Sequence, residues 1–161
     1  MPNRRAALTG AAALLLGGCG FQLRQPPKLA FQSIALTGFA RRSTLAEDFR
    51  LQLERQVKVL ESPEKAELVL QALEDLRQKS VVASTSAAQV REVQLRLKFS
   101  FRVSTPGGRE LIPRADLLLV RDINYSETQA LAKEAEEGEL YREMQADVVA
   151  QVLRRLAAVQ V

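Results

Sequence analysis

Eleven residues near the middle of the chain restrict its fold more than any others. From Val93 to Val103, Val93, Leu95, Leu97, Phe99, Phe101 and Val103 alternate with Gln94, Arg96, Lys98, Ser100 and Arg102, apart from one serine an alternation of large apolar and long polar side chains. A period of two over that length is a strand with one face on a core and the other in water, so the domain must contain a sheet covered on one side. Thr105-Pro106-Gly107-Gly108 then supplies turn residues, and the next strand, within Leu111 to Tyr125, is expected to return antiparallel. Pro113 belongs at the start of that strand, at a bulge or on an edge, because it donates no ladder hydrogen bond.

Helical periodicity flanks this hairpin. Leu45, Phe49, Leu53 and Val57 recur every four residues, predicting a helix from about Thr44 to Gln56. Thr44 and Glu47 have the spacing of a capping box. Tyr141, Met144, Val148, Val152, Leu156 and Val159 mark a long C-terminal amphipathic helix. Its acidic residues Glu134, Glu136 and Glu137 lie toward the N-terminal end and Arg154 and Arg155 toward the C-terminal end, as the dipole favours. Gly138 weakens a helix interior by about 1 kcal/mol, which sets the expected start of the regular part there. Phe31 to Leu36 reads as a first strand, and Val57 to Leu60 as a short one before Ser62-Pro63. Glu64 to Lys79 fits either period: Val69, Ala72, Leu73 and Leu76 suit a helix, as does the composition, and Leu68, Leu70 and Ala72 suit a strand that Val81-Val82 continue. The fold class expected is α+β, a mostly antiparallel or mixed sheet of about four strands with two helices on one face.

The N-terminus has a different character. Arg4 and Arg5 precede an apolar stretch from Ala6 to Leu16, too short for a membrane span, which needs about 20 residues, and suited to a secretory signal. Leu16-Gly17-Gly18-Cys19 resembles the bacterial lipobox, whose cysteine receives lipid before cleavage in front of it. The expected organisation is a lipoprotein signal peptide over 1–18, a lipidated tether over 19–29 containing Pro26-Pro27, and a single domain over 30–161. The resemblance implies three acyl chains, palmitate among them, on Cys19, enough for firm anchoring. Gly20 stands where aspartate retains such proteins at the inner membrane, so the expected location is the periplasmic side of the outer membrane. Without the first 18 residues, 143 remain, with 21 basic and 19 acidic side chains, so the whole-chain charge of +4 falls to +2.

Composition narrows the chemistry. With one cysteine and no histidine, neither an internal disulfide nor a Cys/His zinc site can be built. The histidine-dependent nucleophile arrangements are excluded as well. Ser62-Pro63-Glu64-Lys65 matches the Ser-x-x-Lys of penicillin-binding enzymes, but its companion motifs are absent, and Ser62 as a helix cap with Pro63 in the first helical position accounts for it. Asp116 and Asp122, six residues apart on a strand, stand roughly 20 Å apart, too far for paired acid–base work. The acidic run from Lys133 to Glu139 has no calcium-loop spacing. No catalytic residue, metal ligand or cofactor is assigned. Without a basic run, and with eight aromatic residues in all, no nucleic-acid surface is expected. Arg96, Lys98 and Arg102 form a modest positive stripe that reads either as a solvated sheet face or as a contact for phosphate or carboxylate.

Two blocks carry a further resemblance. Cys19-Gly20-Phe21-Gln22-Leu23-Arg24, and Arg121-Asp122-Ile123-Asn124-Tyr125 followed by Gln129-Ala130-Leu131-Ala132-Lys133-Glu134-Ala135-Glu136, resemble the lipopolysaccharide-assembly lipoprotein family, LptE. That resemblance implies strand for Leu68 to Val82 and a role without catalysis. It implies a plug and assembly partner in the lumen of the outer-membrane β-barrel LptD, aiding lipopolysaccharide transfer to the outer leaflet and binding it directly. Lys133 falls on the family's Leu-Ala-Lys position and is carried over as a lipopolysaccharide contact. The hairpin from Ser84 to Gln89 is basic in some relatives and uncharged here, and nearby Arg91 is the candidate substitute. The alternatives are a scaffold or tether lipoprotein with the same anchor and no lipid substrate, and a periplasmic enzyme, disfavoured by the missing histidine.

Overall fold

A computed structural model describes residues 27–84, 90–125 and 127–160. Cys19 and the signal segment lie outside the described residues, as does most of the tether. The elements are β1 (Ser33–Thr37), α1 (Thr44–Leu53), β2 (Lys58–Leu60), β3 (Leu68–Ser84), β4 (Val90–Ser104), β5 (Glu110–Asn124) and α2 (Ala130–Ala157). They build one mixed five-stranded sheet of order β2-β1-β3-β4-β5. β1 runs parallel to β2 and β3, and β3, β4 and β5 are antiparallel. Counting the stretch that fits either period as strand gives five rather than about four, and the short strand expected within Val57 to Leu60 is the three-residue β2. It exists because α1 returns the chain beside β1.

Leu68 to Ser84 is strand throughout, resolving the ambiguous stretch. Three expectations shift in detail. The N-cap of α1 is Ser43 rather than Thr44: its hydroxyl accepts from the Ala46 N–H at 3.2 Å. α2 runs unbroken through Gly138 from Ala130. Ser62 precedes only a 3₁₀ turn, Pro63–Lys65, and its side chain makes no cap hydrogen bond. Pro113 meets the expectation twice over, lying on an edge strand and inside a bulge, where Ile112 faces Val103 and Ala115 faces Phe101.

The apolar set of β4 is fully buried, as the alternation requires. α1 covers it with Leu45, Phe49 and Leu53, and α2 with Met144, Val148, Val152 and Leu156. Phe39, Phe49 and Phe99 stand within 6 Å of one another by ring centroid, and Phe99 stacks on Phe101 at 5.6 Å. This cluster joins the loop after β1, α1 and the central strand.

A bulge in β3 controls which residues meet the helices. Ala72 pairs with Phe101, and the next pair is Glu74 with Ser100, so Leu73 is one residue extra. An extra residue exchanges the two faces of the strand beyond it. Before the bulge, Leu70 and Ala72 share the core side with Val103 and Phe101. Beyond it, Asp75, Arg77 and Lys79 stand opposite Phe99, Leu97 and Leu95, on the helix-facing side. Gly38 packs against this point with φ +78°. A Cβ there would lie 2.1 Å from the Ala72 carbonyl oxygen.

Candidate lipid and partner contact site

The polar half of β3 forms a seam with the helices. Arg77 and the buried Gln145 both donate to the Thr44 hydroxyl, at 2.8 and 2.9 Å, tying β3 and α2 to the first turn of α1. Ser43 donates to Asp75 at 2.8 Å. The Tyr141 hydroxyl donates to the Gln78 carbonyl at 2.8 Å, and the Arg77 guanidinium lies 5.3 Å from the Tyr141 ring centre. Burial raises the Tyr141 phenol above its ordinary range. Lys79 bonds Glu137 at 2.5 Å and lies 6.0 Å from the Tyr125 ring centre. The hydrogen bond to Glu137 raises the Lys79 ammonium as well.

These contacts fix the direction of α2. Tyr141 meets Gln78 and Glu137 meets Lys79, so β3 and α2 run antiparallel here. The first turns of α2, with Leu131 and Lys133, therefore lie toward the hairpin end, as do Val81, Val82 and the start of β4 at Val90. Lys133 sits in the first turn of α2, bonded to Glu136 at 2.7 Å, with its side chain mostly covered. Arg91 is the second residue of β4, at the same end of the sheet. The structure thus directs the elements carrying both sequence-derived residues to one end. Leu131 is 85% exposed there, and Val81 and Val82 are exposed on the adjoining strand. Sequence reasoning passed over these three because exposure follows from where the helix cover stops, which no local pattern records.

The sheet face away from the helices holds the positive stripe, and each member is engaged. Arg96 donates to Gln94 at 2.7 Å and Arg102 to Gln71 at 2.8 Å. Lys98 pairs with Glu74 at 2.9 Å. Ser100, fully buried on this face, donates to Asp116, with Glu74 at 3.3 Å on its other side. Glu74 is held below the usual carboxylate range chiefly by its hydrogen bond from Lys98, and Asp116 chiefly by that from Ser100. Leu76 and Leu118 flank Lys98 across the strands, and Gln78 and Val120 flank Arg96. The exposed Leu76, Leu118 and Val120 make this face more apolar than β4 alone announces. Among the described residues, no group of three or more Asp, Glu, Cys or His could hold a metal, and no helix is long and apolar enough to cross a membrane.

The family model described as LptE, lipopolysaccharide-assembly, matches residues 31–156. The chain belongs to the LptE family. That places it among lipoproteins of lipopolysaccharide assembly, a family without enzymatic activity. A solution structure of lipoprotein B from Nitrosomonas europaea is similar to this chain at 31% identity and TM-score 0.73, covering 86% of this chain and 91% of that one. The crystal structure of rare lipoprotein B from Shewanella oneidensis gives 23% identity and TM-score 0.67, covering 79% and 95%. A minor lipoprotein from Acinetobacter baumannii gives 21% and 0.66, covering 81% and 93%. At those identities the last two support the fold alone. A comparison with curated proteins gave no match.

Proposed function

We propose that this LptE-family protein is an outer-membrane lipoprotein, anchored through lipids on Cys19, that plugs and helps assemble the LptD β-barrel and contacts lipopolysaccharide with Lys133 and Arg91. The family match over 31–156 carries the reading. The lipobox Leu16-Gly17-Gly18-Cys19 and Gly20 support the anchor and the outer membrane. A barrel lumen is polar. The outer sheet face suits such a wall, with Lys98 ion-paired to Glu74, Arg96 and Arg102 hydrogen-bonded to glutamines, and leucine and valine interspersed among them. An anchor beside the barrel raises the effective concentration of plug at the lumen. No metal or soluble cofactor enters the role; the covalent lipid is the sole addition.

Lys133 reaches a lipid phosphate by exchanging its Glu136 partner for it, a substitution of one charge-assisted hydrogen bond by another. Exposed Leu131, Val81 and Val82 supply apolar surface for acyl chains at the same end. Two measurements test the proposal. Affinity purification in detergent is expected to bring down a β-barrel partner, and recovery of a free, fully functional monomer overturns the plug. Replacing Lys133→Glu and Arg91→Glu together is expected to weaken lipopolysaccharide binding about ten-fold or more. Unchanged binding removes the headgroup site and leaves the partnership standing.

A further inference from the structure

A groove of about 650 Å³ runs between α1 and α2, away from the hairpin end discussed above. Val149, Ala150 and Leu153 of α2 form its apolar floor, Val149 and Leu153 themselves being buried, and Asp48 and Gln52 of α1 with Arg55 just beyond it form the other wall. Pro27, the first described residue, lines the same groove. The chain therefore enters the domain through it. Four residues later Phe31 is buried in the core, which pins Pro27 in place.

We infer that this groove is the seat of the protein's own tether, residues 21–26, with Phe21 and Leu23 against Val149, Ala150 and Leu153. Three observations converge. The tether has two large apolar side chains and they are two residues apart, so an extended segment presents both on one side. Arg24 then points the other way, clear of the arginines that rim the groove, Arg55, Arg142 and Arg154. Gln25 and Pro26 each precede a proline, a position at which extended backbone is favoured over helical. The lengths also agree. Six residues from Pro27 back to Phe21 cover roughly 19 Å, and the stripe of α2 from Arg142 to Arg154 covers roughly 18 Å.

Docking goes beyond lipopolysaccharide assembly and does not rest on it. Its consequence is mechanical. A free tether from Cys19 to Pro27 lets the domain wander up to about 26 Å from its anchor. A docked one leaves only Gly20 between Phe21 and the lipidated residue, so the α1–α2 face stays beside the membrane and the arginine rim faces the headgroups.

Trypsin reports the state of the tether at Arg24, using the complete chain purified in detergent. Cleavage after Arg24 is expected to be at least about ten-fold slower in the unaltered protein than in the Phe21→Ser/Leu23→Ser variant, because cleavage requires an undocked segment. Ala150→Glu, which blocks the groove from the other side, is expected to accelerate cleavage equally. Far-UV circular dichroism checks that the fold survives. Equal rates in all three proteins overturn the inference. Independently of the groove variant, a benzoylphenylalanine photo-crosslinker at position 21 is expected to label α1 or α2 of its own chain. Labelling of a second copy, of phospholipid or of the sheet overturns docking and leaves the LptD reading untouched.

Discussion

Replacing Gly38 by alanine tests how the two halves of β3 come to face opposite ways. Gly38 has φ +78°, where an alanine costs about 1–2 kcal/mol. Partly offsetting this, alanine restricts the unfolded chain, a gain of about 0.4–1 kcal/mol. Those two contributions apply equally to Gly108, at φ +88° in the β4–β5 turn, where an added Cβ meets nothing within 4 Å. Gly108→Ala is therefore expected to destabilise by about 1 kcal/mol or less. At Gly38 the added Cβ also lands 2.1 Å from the Ala72 carbonyl oxygen and 3.1 Å from its carbon. Those are backbone atoms next to the Leu73 bulge, and no rotamer change relieves them. Forced shifts in packed structure cost about 1–3 kcal/mol, so Gly38→Ala is expected to lose about 3 kcal/mol in total. Urea unfolding of both variants, followed by circular dichroism at neutral pH, measures the difference directly. A gap below about 0.5 kcal/mol between the two glycines refutes the claim that close approach to β3, rather than φ, is what Gly38 provides.

Three further outcomes follow from the packing and the charges. Tyr141→Phe removes the hydrogen bond to Gln78 while keeping the ring beside Arg77; a loss of about 1 kcal/mol is expected on urea unfolding, and no loss means the hydroxyl is equally well served by water. Phe99→Ala vacates the centre of the aromatic cluster and is expected to cost about 3–5 kcal/mol, read from the shift in the urea midpoint. Glu74 and Asp116 have folded-state values below their ordinary 4.5 and 3.8, so they stabilise the fold above those values and lose that contribution as pH falls through the lower, folded ones. The Glu74→Gln/Asp116→Asn variant is accordingly expected to be less stable at neutral pH, with the deficit closing below about pH 4; a constant deficit down to pH 2 assigns it to packing instead.

Family and fold are separately legible to different degrees. The alternation of Val93 to Val103 and the turn at Thr105–Gly108 identified β4 and its partner, because a strand buried on one face writes its period into the residues. The stretch from Leu68 stayed ambiguous for a physical reason. Its apolar residues change face at Leu73, so no single period spans it, and the bulge that causes this depends on β4 and Gly38. Gly138 misled because a glycine that meets no neighbour within 4 Å leaves a long helix otherwise supported by its packed face. Lys133 comes from the family resemblance and Arg91 only from its proximity to the hairpin that is basic in some relatives, and the sequence itself holds no sign that their elements end together.

The chain by itself determined its compositional exclusions, its signal and lipobox pattern, the amphipathic central strand and the two helical stripes, each a local property of side-chain order. Only the tertiary structure decided which way β3 faces beyond Leu73, that the first turn of α2 with Lys133 lies at the hairpin end, and that Pro27 opens into a groove between the helices. The reason is the same in each case. Those features depend on contacts between residues distant in sequence, such as Gly38 with Ala72 and Glu137 with Lys79, and a local pattern holds no term for them.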